Sequence, residues 1–121
     1  MNKVSIKRIY DPVSETDGFR VLVDRLWPRG ISKEKARVDL WAKEITPSSA
    51  LRKEYHQHPD RFEEFRDKYN EELRNNEETA PFIALVKQKL REGNVTFLYA
   101  AKNMEANHAL ILKAWIKSTL S

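Results

Sequence analysis

Apolar and polar residues alternate along Val4-Ser5-Ile6-Lys7-Arg8-Ile9-Tyr10, which predicts a first strand with one buried face. From Phe19 to Val23 the run is apolar and β-branched apart from Arg20, the pattern of a strand covered on both faces, so this stretch is placed at the centre of a sheet. Pro28 ends it. A proline cannot donate to a ladder and holds Trp27 extended, which leaves Asp24, Arg25 and Arg29 at or just past the carboxyl end of the strand. A second buried strand is read over Val95-Thr96-Phe97-Leu98-Tyr99-Ala100-Ala101. The polar segment 11–18, with Pro12, Asp17 and Gly18, is too short for a helical crossover, which takes about a dozen residues. The first two strands are therefore either antiparallel or joined by an extended excursion, and an antiparallel or offset pairing is favoured.

The helices follow from a different period. Ser32 caps a short helical turn over Lys33 to Arg37, while Val38 to Ile45 carries a mixed pattern that suits a short strand or an extended arm. Pro47, Ser48 and Ser49 open a helix through Leu51 and Tyr55 that His58-Pro59 stops. Pro59 fits the first position of the next helix with Asp60 in its first turn, and there Phe62, Phe65, Tyr69 and Leu73 recur at helical spacing, the mark of core packing. A third helix runs from Thr79–Pro81, burying Phe82, Ile83, Leu85, Val86 and Leu90, to Gly93, a natural residue for the position after a helix. The last, from Ala109 through Ile116, is apolar on most sides. The sum is one α/β domain over residues 1–121: a small, mostly parallel sheet of three or four strands packed by four or five helices in a three-layer-like arrangement.

Composition narrows the chemistry. With 121 residues there is room for one core, and 40% hydrophobic against 33% charged residues describes a globular protein. No apolar run approaches a membrane span and no signal peptide is read at the amino terminus, so a cytoplasmic protein without membrane partners is expected. The absence of cysteine removes disulfides, thiolate nucleophiles and Cys-ligated zinc. Three glycines, at 18, 30 and 93, cannot write a dinucleotide loop or a P-loop, so no cofactor is expected. A net charge of +4 tilts the chain mildly towards anionic partners, although the charges are interspersed.

Two junctions carry the candidate site. Asp24, Arg25, Trp27 and Arg29 leave the early strand, and Lys102, Asn103, Asn107 and His108 lie between the later strand and the last helix, with Asn103 read as its N-cap. If the two strands run parallel, these groups meet at the carboxyl edge of the sheet, where open α/β sheets bind ligands. Arg25 and Arg29 would then grip a phosphate or carboxylate, Lys102 would add charge, and Asp24 with His108 would be the pair for proton transfer. Lys43, beside Trp41, is placed along the same crevice. The scaffold alternative is that Asp24 only pairs with an arginine and the asparagines only satisfy helix-end amides. No metal is expected: His56-x-His58 offers too few ligands, and Glu105-x-x-His108 lacks the further inward glutamates such a site requires.

The string Val21-Leu22-Val23-Asp24-Arg25-Leu26-Trp27-Pro28-Arg29-Gly30, with Trp41-Ala42-Lys43-Glu44, Pro47-Ser48, the Phe62/Phe65/Tyr69 helix, Leu98-Tyr99-Ala100-Ala101-Lys102 and Asn107-His108-Ala109, resembles the YeaO-like, DUF488 family of small bacterial proteins over nearly the whole chain. The resemblance implies the family's α/β fold. Larger relatives place a Val-Asp-Val-Arg type strand end opposite a Cys-His-Arg cluster; the matching region here reads Glu105-Ala106-Asn107-His108, so thiol chemistry does not carry over, and only the acid-arginine edge and His108 do.

These readings support, first, binding of a small anionic or nucleotide-like ligand at the sheet's carboxyl edge, with enzymatic turnover left open. The basic charge with Arg and Trp side chains supports, second, a nucleic-acid-binding accessory module. A protein–protein adaptor without a ligand site is the third. The oligomeric state is not legible.

Overall fold

A computed structural model describes residues 2–120, Leu120 by its backbone alone. Four strands, β1 (Val4–Arg8), β2 (Phe19–Leu22), β3 (Leu40–Trp41) and β4 (Val95–Tyr99), form one sheet in the order β1-β4-β2-β3 with every pairing parallel. Five helices accompany them: α1 (Lys33–Ala36), α2 (Ser49–Gln57), α3 (Phe62–Asn75), α4 (Thr79–Glu92) and α5 (His108–Leu120). Among the described residues no helix is long and apolar enough to cross a membrane.

Side-chain alternation along the central strand divides the core. Val95, Phe97 and Tyr99 of β4 join Val21 of β2 in the larger cluster, against Leu51 of α2, Phe65, Tyr69 and Leu73 of α3, Phe82 and Val86 of α4, and Ile111, Leu112 and Ile116 of α5. The opposite face, with Leu22 and Leu98, is covered by Ala36 of α1 and by Trp27, Ile31, Val38 and Trp41. The layering is therefore lopsided: four helices on one side, and a short helix with the 25–38 loop on the other.

The antiparallel or offset pairing of the first two strands does not form. β4 sits between β1 and β2 and pairs with both in parallel, Val4 and Phe19 each opposite Val95. A long apolar strand with both edges available outcompetes a local hairpin, and residues 9–18 return to the amino edge as the extended excursion. That excursion is pinned at several points. Ser14 and Asp17 form a reciprocal cap around a 3-10 turn (Glu15–Asp17), and Asn94 accepts the Phe19 N–H at 2.8 Å and donates to the Thr16 carbonyl at 2.9 Å. Gly18 has a φ of +68°, and a Cβ there would collide with the Asn94 carbonyl, so only glycine fits.

Arg20, the one polar residue inside β2, is buried at 3% exposure. Its Nη1 lies 2.6 Å from Asp17 Oδ2, its Nη2 donates to the Ala36 carbonyl at 2.7 Å, and its Nε is shared between the carbonyls of Ala36 and Arg37, both at 3.2 Å. Lys7 Nζ completes the cluster 3.0 Å from Asp17 Oδ1. The arginine thus ties the excursion, β2 and the end of α1 together at the sheet's amino edge.

Local chemistry sets the helix ends. Ser32 and Ser48 cap α1 and α2, and Glu72 of α3 reaches back to hold the Ser48 N–H and hydroxyl at 2.8 and 2.6 Å. Pro59 and Asp60 do not begin α3: the Arg61 N–H closes a turn on the His58 carbonyl at 3.0 Å, placing Pro59 in its second position, and the helix starts at Phe62. Gly93 is extended at φ 177°, so the end of α4 makes no use of a left-handed glycine. The 38–45 stretch gives two paired residues and then a 3-10 turn (Lys43–Ile45).

Candidate functional site

Because β2 and β4 are parallel neighbours, the chain leaves both strands at the same edge, and the two junctions adjoin. Asp24 is held through its carbonyl and one carboxylate oxygen. Its carbonyl accepts from Trp41 Nε1 at 2.7 Å, and its Oδ2 accepts from the Ala100 N–H at 3.0 Å. Oδ1 lies 2.9 Å from His108 Nε2, but off the line of the N–H, which is directed to the Val23 carbonyl, also 2.9 Å away. Oδ1 is otherwise enclosed without a hydrogen-bond partner. The pairing is therefore acid to histidine, and the arginine partner of the scaffold alternative is elsewhere.

A cleft of about 610 Å³ opens over this pair. Arg25 and Leu26 border it from the β2 exit, Lys102 and Asn103 from the β4 exit, and Arg52, Tyr55 and His56 from α2. One carboxylate thus faces three cationic side chains among the lining residues. Arg25 is exposed, and its Nη1 makes only a long, 3.4 Å bond to the Pro47 carbonyl. Tyr55 stacks on Phe65, with ring centroids 4.3 Å apart, and its hydroxyl reaches the Ala106 carbonyl at 3.4 Å; burial pushes its pKa up, so it remains a donor.

The remaining sequence candidates separate. Arg29 stands outside the cleft: after Pro28 the chain turns onto the thin layer, where the Arg29 carbonyl accepts the Tyr10 hydroxyl at 2.7 Å. Trp27 belongs to that layer as well, edge-on to Trp41 at 5.5 Å and donating to the Ile31 carbonyl. Lys43 lies over the Trp41 ring at 4.0 Å and is not part of the cleft lining. Asn103 does not cap α5; its Oδ1 accepts the N–H groups of Glu105 and Ala106 in a turn of the preceding loop. Asn107 is the residue at the helix start, accepting the Leu110 N–H at 3.0 Å and donating to the Asn103 carbonyl at 2.9 Å. Both asparagines border the cleft, and of the two only Asn107 satisfies an amide at the helix end.

Arg52, Tyr55 and His56 are the lining residues that sequence reasoning missed. Their i, i+3, i+4 spacing puts them on one face of α2, and an arginine and a histidine on the face that also carries a tyrosine was the available signal. Glu105 is exposed, and among the described residues no three His, Cys, Asp or Glu side chains gather closely enough to hold a metal ion.

A family model described as "Inactive DUF488-N3 subclade" matches residues 3–121. The chain belongs to the DUF488 family. Within it, the chain is 45% identical over 115 residues to the uncharacterised protein YeaO of Escherichia coli (strain K12), covering 95% of this chain and 97% of that one. It is 39% identical over 110 residues to the uncharacterised protein Rv3073c of Mycobacterium tuberculosis (strain ATCC 25618 / H37Rv), covering 91% and 90% of the two chains. No solved structure gives a significant match. The resemblance to the YeaO-like, DUF488 proteins thus extends over residues 3–121, and in this DUF488 member the Asp-Arg-Leu-Trp-Pro-Arg-Gly string leaves the sheet's carboxyl edge with only its first residues bordering the cleft.

Proposed function

We propose that this DUF488 chain binds a small anionic ligand, bearing a phosphate or carboxylate, in the cleft at the carboxyl edge of its sheet, and holds it without chemical turnover. The observation that carries this reading is the charge arrangement: Arg25, Arg52 and Lys102 border the cleft while its one acidic residue, Asp24, is engaged by the Ala100 N–H and by His108. Cations with no carboxylate partner nearby attract an anion, and two of the three present the planar donor fork that matches a phosphate or carboxylate. The volume of about 610 Å³ lies within the roughly 300–1,000 Å³ of small-molecule sites.

Holding without turnover has its own support. Among the described residues no serine, threonine or cysteine lines the cleft, and the matching family description reads inactive. The Asp24–His108 pair serves this reading as a rigid floor, anchored to β2 through the Val23 carbonyl.

Thermal-shift titration with inorganic phosphate, nucleotides and carboxylates is the test. A bound anion raises the melting temperature in proportion to the logarithm of its concentration above Kd, and Arg52→Ala weakens binding by about tenfold, the worth of one charge-assisted hydrogen bond. If no member of the panel raises the melting temperature, the reading fails.

A further inference from the structure

Anion binding leaves two features of the same cleft unused. The first is His108. A backbone carbonyl cannot donate, so the 2.9 Å bond to Val23 requires Nε2 to carry the ring proton, and Asp24 Oδ1, also 2.9 Å away, reinforces that tautomer. In the neutral ring Nδ1 is then the acceptor. It takes no hydrogen bond among the described residues, and the ring borders the cleft. The second is apolar surface. Leu26 and Met104, at 67% and 63% exposure, are the most exposed large apolar side chains among the described residues. Leu26 lines the cleft, and Met104 stands on the loop that closes its other side, between the lining residues Asn103 and Ala106.

A bare phosphate or a short carboxylic acid would satisfy the cations, fill a small part of about 610 Å³, and leave both features idle. Resting on the anion-binding reading, we propose that the ligand is a nucleoside monophosphate. Its phosphate sits on Arg25, Arg52 and Lys102, a hydroxyl or amino group of the nucleoside donates to His108 Nδ1, and the flat base covers the apolar rim at Leu26 and Met104. The three chemistries of the cleft are thereby used by one molecule with an anionic end, a donor-bearing middle and a planar apolar body.

The experiment is calorimetric titration of the full chain with adenosine 5′-monophosphate, ribose 5-phosphate and inorganic phosphate. The expected order of affinity is monophosphate, then ribose phosphate, then phosphate, the first and last separated by at least about tenfold. His108→Gln keeps an amide donor for the Val23 carbonyl but moves the free acceptor away from the position of Nδ1. It is expected to weaken the two organic phosphates by about fivefold more than it weakens inorganic phosphate. Leu26→Ala alters only an exposed side chain, so the fold is preserved, and it weakens the nucleoside monophosphate alone. Equal binding of all three phosphates, or equal losses for all three in both variants, overturns the nucleotide assignment while the anion site stands. Absence of binding by all three overturns both.

Discussion

The Asp17 carboxylate, at the amino edge of the sheet, receives the Ser14 N–H at 2.9 Å, the Lys7 ammonium at 3.0 Å and the Arg20 guanidinium at 2.6 Å. Burial pushes its pKa up, but the Ser14 hydrogen bond and the bonds and charges of Lys7 and Arg20 outweigh that and hold it below the ordinary 3.8. A carboxyl whose pKa is depressed by folding contributes stability above the unfolded value and loses it as the pH falls through the folded one. Acid unfolding of the wild type therefore includes a component below about pH 4 that Asp17→Asn lacks. At neutral pH the same substitution leaves Arg20 buried beside a neutral amide and costs about 3 kcal/mol, measurable by urea unfolding. Asp24 contrasts with this: its Oδ1 is enclosed with a histidine close by and no aligned donor, an arrangement that stability alone does not reward.

Among the elements, the excursion from β1 to β2 is the most constrained, because it must pass the start of β4. Gly18→Ala places a methyl group against the Asn94 carbonyl at a backbone angle that side chains avoid. It is expected to cost about 3 kcal/mol or more, read as a lowered urea midpoint with an unchanged slope. Helical elements were legible in the sequence because their signal is local: Phe65, Tyr69 and Leu73 are one to two turns apart, and Ser32 and Ser48 cap the helices they precede. Strand order was not, since nothing near Val4 or Phe19 announces that both lie opposite Val95. The site divides the same way. Asp24 and His108 follow from reading where two strands end, whereas Arg52 enters from α2, whose position over the sheet is a tertiary fact. Arg29 was misplaced because the turn after Pro28 carries the chain away from the cleft, and Asn103 was taken for the cap because it closes a separate turn of its own before α5 begins at His108.

Taken whole, the molecule keeps its two ionic centres in different dielectric surroundings. Asp17 and Arg20 are buried at one edge, whereas Arg25 and Lys102 are exposed at the other. Raising the salt from 0.05 to 0.5 M, which shortens the screening length from roughly 14 to 4 Å, is expected to weaken phosphate binding by about tenfold. Urea unfolding of the ligand-free chain should change far less, and the two titrations run side by side check the contrast. The sheet order also bears on how the chain is made. Neither β1 nor β2 has its main partner until β4, at Val95–Tyr99, has been synthesised. A ribosome therefore holds β1 without any sheet partner and β2 with only the short β3 beside it until β4 is made, and the sheet closes in one late step.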